Sequence, residues 1–415
     1  MGNNRLALVC ALFAVSVYAS DSGAVAEAAE FQGIGGGSTT SYASAVSGDG
    51  QVVAGFSSDG TVGYRWTQAD GVTTFAFQPT DVSLHGEVIV GVRGAFEAVR
   101  WTRADGAVGL GDLTPGDGSI YSSALGVSAD GSVVVGGTAI EPFVWTSTDG
   151  MKPSPEVPAE SGNGFNSGVS ADGTVTAGGY SGHYFRSVNG TPSEIYGISL
   201  LSSASGISGD GEVIFGQVSN QAAFWSAGTV TTVGTFSSWF EGASSTGDCL
   251  AGTSMTDSMM TAIFWDDVNG LRDLETVLEN DFGLAAELNG WTLEQANDVS
   301  DDCRTIVGTG TYQGSKQAWM VTGFSKDGIS TTTTFSTTTT TVGGQSRCSQ
   351  PLSSGLSPIA SDCLFILKVA VGSETCLPLC VCAPKGTLPT AATDALLCLK
   401  AAVGESVELA CPCAG

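Results

Sequence analysis

One ten-residue pattern, Val-Ser-x-Asp-Gly-x-Val-Val-x-Gly, recurs along the first three quarters of the chain and narrows the fold more than any other feature. It reads VSGDGQVVAG at 46–55, VSLHGEVIVG at 82–91, VSADGSVVVG at 127–136 and VSADGTVTAG at 169–178. ISGDGEVIFG at 207–216, the weaker ASSTGDCLAG at 243–252 and VSDDCRTIVG at 299–308 complete the series. The closing glycines Gly55, Gly91, Gly136, Gly178, Gly216, Gly252 and Gly308 lie 36, 45, 42, 38, 36 and 56 residues apart. Self-similarity at about 40 residues marks propellers and solenoids. A serine stands eight places before the closing glycine in all seven copies: Ser47, Ser83, Ser128, Ser170, Ser208, Ser244 and Ser300.

Each copy reads as strand, turn, strand. Asp-Gly signals a two-residue hairpin turn, in which glycine takes the positive φ without steric cost, and the β-branched run after it suits a buried strand. Further on, a large aromatic follows in every copy: Trp66, Trp101, Trp145, Phe185, Trp225, Trp265 and Trp319. A residue repeated in every copy is expected to pack between sheets rather than stack on a sugar. A second turn follows at Asp70-Gly71, Asp105-Gly106, Asp149-Gly150, Ala227-Gly228, Asn189-Gly190 and Asn269-Gly270. Two hairpins per copy make four strands, one propeller blade. The expected fold is therefore all-β, a seven-bladed β-propeller over residues 31–323. The seventh copy lacks its second turn, whereas Phe31–Gly35 forms an orphan strand segment like Val108–Gly111. That segment is expected to supply the outer strand of the last blade and so remove an open edge.

The pattern resembles the bacterial probable extracellular repeat proteins of the HAF type, with units such as GVSADGSVVVG followed by an aromatic segment. The resemblance covers about residues 31–323 and implies an exported repeat protein with no agreed activity. His85 and Thr246 depart from it, standing where the turn aspartate belongs.

The segments flanking the repeats differ in character. Arg5 followed by the apolar run Leu6–Val17 and the small residues around Ala19 reads as a signal peptide over 1–19, too short to span a bilayer; a buried N-terminal helix is the alternative. No later stretch has the ~18 apolar residues of a membrane helix. The threonine tract within 324–347 cannot bury a core and reads as a linker. Beyond it, SDCLFILKVAVG (361–372) and TDALLCLKAAVG (393–404) form a duplication of two short amphipathic helices, with Gly372 and Gly404 just past their ends. This resembles the duplication of type I dockerins, in which Asp362 and Asp394 would match the last calcium ligand. The earlier loop positions, Pro351, Ser353 and Gly355 and then Ala383, Lys385 and Thr387, lack the carboxylates that calcium requires. The module at 348–415 is thus expected to be stapled by disulfides, not metal.

Signal removal takes Cys10 and leaves ten of the 11 cysteines. In an oxidising compartment these are disulfide candidates: Cys249, Cys303, Cys348, Cys363, Cys376, Cys380, Cys382, Cys398, Cys411 and Cys413. Zinc is the rival for closely spaced cysteines. Cys249 and Cys303 are expected to bridge the last two blades, both read as starting a second strand.

The net charge of −26 repels phosphate backbones and anionic lipid, so nucleic acid and membrane surfaces are not expected partners. With two histidines, His85 and His183, far apart in sequence, a Ser-His-Asp triad or histidine metal site is hard to assemble. No glycine-rich phosphate loop is present, since no Gly-Lys-Ser/Thr follows Gly33–Gly37. No catalytic, cofactor or metal residues are assigned. Trp239 and Trp291, outside the repeated aromatic place, are the candidates for a specific role, and Trp291 equally suits a staple on the last blade. The expected function is a secreted or cell-surface monomeric propeller, without catalysis or cofactor, presenting loops to a protein or glycan. The alternative is a propeller glycoside hydrolase or lyase, which needs two suitably spaced carboxylates.

Overall fold

The Val-Val-x-Gly half of each repeat forms a strand buried on both faces. Val53 and Ala54, Ile89 and Val90, and Val134 and Val135 are all fully buried, and strands covered on both sides read as continuous apolar runs. In the computed structural model these strands sit second in four-stranded antiparallel units spanning 41–75, 78–109, 122–153, 164–195, 206–236 and 238–273. A seventh spans 291–322 and takes its fourth strand from Glu30–Ile34. A single pair, Gly137 with Phe165, joins units 3 and 4 into one sheet. The structure describes residues 28–35, 40–57, 60–94, 96–113, 121–139, 141–154, 164–180, 183–195, 206–256, 259–326, 360–370 and 391–402. The segment 1–19 read as a signal peptide and residues 327–347 of the 324–347 linker lie outside them, as do Gly372, Gly404 and the cysteines at 10, 348, 376, 380, 382, 411 and 413.

The units close into a ring. Glu30–Ile34 pairs with Ala318–Thr322, and Phe31 packs edge-on to Trp291 with ring centroids 5.3 Å apart. At the end where the repeat turns lie, one amide per unit donates to the carbonyl of the next. Asp49 donates to Leu84 (3.0 Å), Leu84 to Ala129 (3.1 Å), Ala129 to Ala171 (3.0 Å) and Ala171 to Gly209 (2.7 Å). Asp210 donates to Ser245 (2.7 Å), Ser245 to Asp301 (3.2 Å) and Asp301 to Gly48 (2.9 Å), which returns to the start. A closed ring of four-stranded meanders about one axis is the architecture of a β-propeller.

The repeat's serine and glycine now have physical reasons. All seven serines are buried. Each hydroxyl accepts the N–H five residues on, as Ser47 does from Val52 (2.9 Å) and Ser300 from Thr305 (2.9 Å). In five units the hydroxyl also donates to the turn aspartate. In unit 6, where Thr246 replaces that aspartate, Asp248 takes the bond from two residues further along (2.6 Å). Each turn glycine lies directly on the preceding unit: a Cβ at Gly86 would collide with Val52, at Gly131 with Val88, at Gly173 with Val133, at Gly211 with Val175 and at Gly247 with Val213.

Several expectations need correction. The repeat turn is not a two-residue hairpin. It is a wider Ser-x-Asp-Gly-x loop closed by bonds such as Gly50 N–H to Ser47 carbonyl (2.7 Å), with only its glycine at positive φ in the six units that have one. Of the second turns, Asn189-Gly190 and Ala227-Gly228 have both residues at positive φ, whereas Asp70-Gly71 has only its glycine there and is a three-residue loop. The aromatic place holds in five units, where Trp66, Trp101, Trp145, Trp225 and Trp265 face Val53, Ile89, Val134, Ile214 and Leu250. Phe185 and Trp319 instead face the closing glycines Gly178 and Gly308, two residues inward on the same face. Cys303 does not start a strand. It occupies the turn-glycine position at φ 64°, and forms a disulfide with Cys249 at a Cα separation of 6.0 Å.

The long spacing before the last repeat accommodates an unforeseen helix, α1 (Leu274–Asn280). Asp273 caps it by accepting the Thr276 N–H, and Leu274, Val277 and Leu278 form its buried face. The chain divides into two compact parts, Met1–Thr332 and Thr333–Gly415. In the second, α2 (Ala360–Ala370) and α3 (Ala392–Ala402) pack through Cys363, Ile366, Ala395 and Cys398. Cys363 and Cys398 form a disulfide. Asp394 is buried, and its carboxylate accepts the Ala391 N–H (2.8 Å) at the start of α3.

Candidate functional site

The first strands of the units line a central cavity of about 640 Å³. Counting back from the repeat serine, the described residues two and three places before it face this space, and in units 1, 2, 6 and 7 so does the residue five places before it. The same ladder therefore presents a different side chain from each unit, and the fold leaves those choices open.

Two places before the serine, Ala45, Gly126, Gly168, Gly206 and Gly242 are small, but units 2 and 7 carry Asp81 and Asp298. Both aspartates act alike. Asp81 accepts the N–H of Val82 (2.7 Å) and of Val127 in the next unit (2.8 Å). Asp298 accepts the N–H of Val299 (2.8 Å) and of Val46 (2.9 Å), across the ring closure. Burial raises the Asp81 carboxyl to about 7 against these bonds, and raises Asp298 well above the usual range. Gly242 makes room for Asp298, which a Cβ there would strike.

Glu241 anchors a polar network between units 6 and 7. One carboxylate oxygen accepts the Trp239 indole N–H (2.6 Å) and the Thr253 hydroxyl (3.2 Å); the other accepts the Asn297 amide (2.8 Å). Burial outweighs these three donors and holds its pKa at about 7. Asp301 completes the acids on the wall; it is raised by burial and by the charges of Asp302 and Asp49. No lysine, arginine or histidine lines the cavity among the described residues.

Of the residues marked by sequence, Trp239 lies on the cavity wall, whereas Trp291 stacks on Tyr312 (4.9 Å) and against Phe31, stapling the last unit. His85 faces Asp49 (3.0 Å) at the exposed turn end, and His183 begins the strand His183–Val188. His85 is not among the residues that line the cavity. Asp248, Cys249 and Cys303 are grouped closely enough to suggest a metal site, but both thiols are spent in the disulfide. Asp81, Asp298 and Glu241 went unmarked. The signal of the two aspartates was available: each interrupts a position that is otherwise alanine or glycine. A second unmarked feature is the exposed ring pair Phe96 and Tyr121, 4.6 Å apart, with Phe96 at φ 78°.

No protein-family model and no curated protein matches the chain. Among solved structures it is similar to the β-propeller domain of Cps50 (Swd1) from Myceliophteria thermophila, at 13% identity and a TM-score of 0.46, over 68% of this chain and 96% of that one.

Proposed function

We propose that the chain is an exported, seven-bladed β-propeller of the extracellular-repeat type, working outside the cell or at its surface as a binding scaffold for a protein or glycan rather than as a catalyst. One observation carries the reading. The buried carboxylates of the cavity wall are engaged in holding the ring: Asp81 and Asp298 each bind an amide of the next unit, and Glu241 accepts three donors from its own and the next unit. A glycosidase pair needs one carboxyl to give up its proton and the other to attack or activate water, and carboxylates held by backbone amides, as Asp81 and Asp298 are, or by three side-chain donors, as Glu241 is, are poorly placed for either task. The disulfides Cys249–Cys303 and Cys363–Cys398 support an oxidising compartment.

The test is the secreted chain, immobilised and offered purified surface proteins and polysaccharides of the producing organism. Saturable retention without breakdown of the ligand supports the scaffold reading. Release of new reducing or unsaturated ends from a polysaccharide, lost in Glu241→Gln, would replace it with the hydrolase or lyase reading.

A further inference from the structure

The cavity is not sevenfold. Its polar groups are gathered on the arc of units 6, 7, 1 and 2, where Trp239, Gln295, Tyr42 and Gln78 stand five places before the repeat serine. Below them on the same arc lie Glu241, Asn297 and Ser44, three places before it. On the opposing arc of units 3, 4 and 5 the described lining is mainly apolar or glycine, with Leu125, Gly126, Val127, Gly168, Ile207 and Phe215, and the hydroxyl of Ser167 is turned to the Ala177 carbonyl (3.1 Å). The backbone ring of hydrogen bonds is made by every unit, whichever arc it stands on, and the turn-glycine contacts by every unit but the seventh, so neither sets this division.

We infer that the cavity is a binding site for a neutral saccharide, whose hydroxyl edge meets the arc of units 6, 7, 1 and 2 and whose apolar face meets the arc of units 3 to 5. The inference rests on the scaffold reading above and narrows it from protein or glycan to glycan. A pyranose ring has one hydrogen-bonding rim and two C–H faces, which is the division the walls show. The volume lies within the range of small-molecule sites, which are largely apolar with a few convergent polar groups. The polar wall also has capacity to spare. The Ser44 hydroxyl oxygen is buried with no hydrogen-bond partner, a costly state that a ligand hydroxyl would relieve. The Gln78 and Gln295 amides make no hydrogen bond among the described residues, and each offers two donors and an acceptor. Tyr42 stacks on Phe56 at 5.2 Å beside the same wall and presents a flat apolar surface with a hydroxyl tip. The wall carries four acids and, among the described residues, no cationic side chain to pair with an anionic saccharide or phosphate, which favours a neutral ligand.

Isothermal titration of the full secreted chain with neutral cello-, xylo-, malto- and chito-oligosaccharides tests this, with oligogalacturonate and the cationic chitosan oligomers as charged comparators. Binding of a neutral oligosaccharide, weakened about tenfold or more by Gln295→Ala and by Ser44→Val, is expected. Gln295→Ala alters a partly exposed side chain and leaves the fold intact, which thermal unfolding verifies; Ser44→Val removes the buried hydroxyl without opening a void. Binding confined to the charged comparators would overturn the inference, as would neutral-sugar binding unchanged in both variants. Retention of a surface protein with no glycan bound would overturn the inference and leave the scaffold reading standing. Retention of neither class would take down both.

Discussion

Cys303 meets Cys249 from the place that a glycine holds in the other units. At the remaining junctions the turn glycine lies on the residue five past the preceding repeat's serine: Gly50 on Thr305, and Gly86, Gly131, Gly173, Gly211 and Gly247 each on a valine. At the junction of units 6 and 7 that pair is Cys303 and Cys249, joined covalently. Glycine is required there because the φ is positive and no room exists for a Cβ; cysteine is tolerated because its Cβ leads into the bond. Cys249→Val with Cys303→Gly should restore the packing of the other junctions while losing the cross-link. Cys249→Ser with Cys303→Ser should lose the cross-link, bury hydroxyls and keep a side chain at positive φ. In urea unfolding the serine pair should fall by more than the ~2–4 kcal/mol of a typical disulfide, and the Val/Gly pair by less than the serine pair. Equal stability of the serine pair and the parent would refute the account.

The buried serines are predicted to matter equally whether or not the turn aspartate is present. Ser83 has His85 two places on, yet it still accepts the Val88 N–H at 3.0 Å, as Ser170 accepts that of Val175 at 2.9 Å. Removing either hydroxyl leaves a buried amide unpaired, at about 1–3 kcal/mol. Ser83→Ala and Ser170→Ala should therefore lose similar amounts in denaturant unfolding, and Asp172→Asn distinctly less. A small loss in Ser83→Ala alone would make the aspartate the essential partner.

Much of the scaffold was legible because it is repeated. Seven serines, the following glycines and the β-branched run carry one packing solution copied around the ring, so each weak signal was read seven times. The orphan Phe31–Gly35 segment was readable for the same reason, as a fourth strand without its unit. What stood once was harder to read. The helix α1 replaces no repeated element, and its three apolar residues in a short stretch are outweighed by the surrounding strands. Trp319 and Phe185 sit two residues from the aromatic place, a shift that keeps them on the same face and so leaves the sequence pattern almost unchanged. The cavity acids lie upstream of the recognisable motif, where a first strand's identity at one position depends on what the axis must hold rather than on the sheet.

The Glu30–Ile34 strand should hold the last unit together. It pairs with Ala318–Thr322, buries Phe31 and Ile34, and covers the fully buried Trp319. Ser41, in unit 1, ties the seam by accepting the Ala318 N–H and donating to the Ile34 carbonyl, both at 3.1 Å. Each of the two apolar side chains alone is worth about 1.5–3 kcal/mol of burial, before the exposed edge is counted. Deleting residues 30–34 should lower the melting temperature strongly and promote association through the bared strand, seen as higher-mass species in size-exclusion chromatography. A monomeric deletion variant melting with the parent would mean that the ring closes without this strand.

The cavity acids should make the protein more stable in mild acid than at alkaline pH. Glu241 is raised from 4.5 to about 7 and Asp81 from 3.8 to about 7, both by burial, and Asp298 is raised as well. A carboxyl raised in the folded state holds its proton more tightly there than in the unfolded chain. Its stabilisation is complete below the unfolded value and disappears as pH climbs through about 7. Asp248 has the opposite sign. Burial pushes it up, but hydrogen bonds from Lys326, Ser244 and Thr246 and the lysine's charge hold it at about 2, so its contribution is present above 3.8 and lost as pH falls through 2. Between pH 8 and pH 5 the first group dominates, and the melting temperature should rise on acidification by several degrees. The protein's general negative charge acts in the same direction, since repulsion eases as carboxylates protonate, so the parent's curve alone does not isolate the cavity. Glu241→Gln does: the amide oxygen still accepts from Trp239 and Thr253, but the titrating proton is gone. In that variant the rise between pH 8 and pH 5 should shrink, with little change at pH 5, where the parent's Glu241 is already protonated. An unchanged pH profile in Glu241→Gln would show that this carboxyl titrates in its ordinary range and that burial does not govern it.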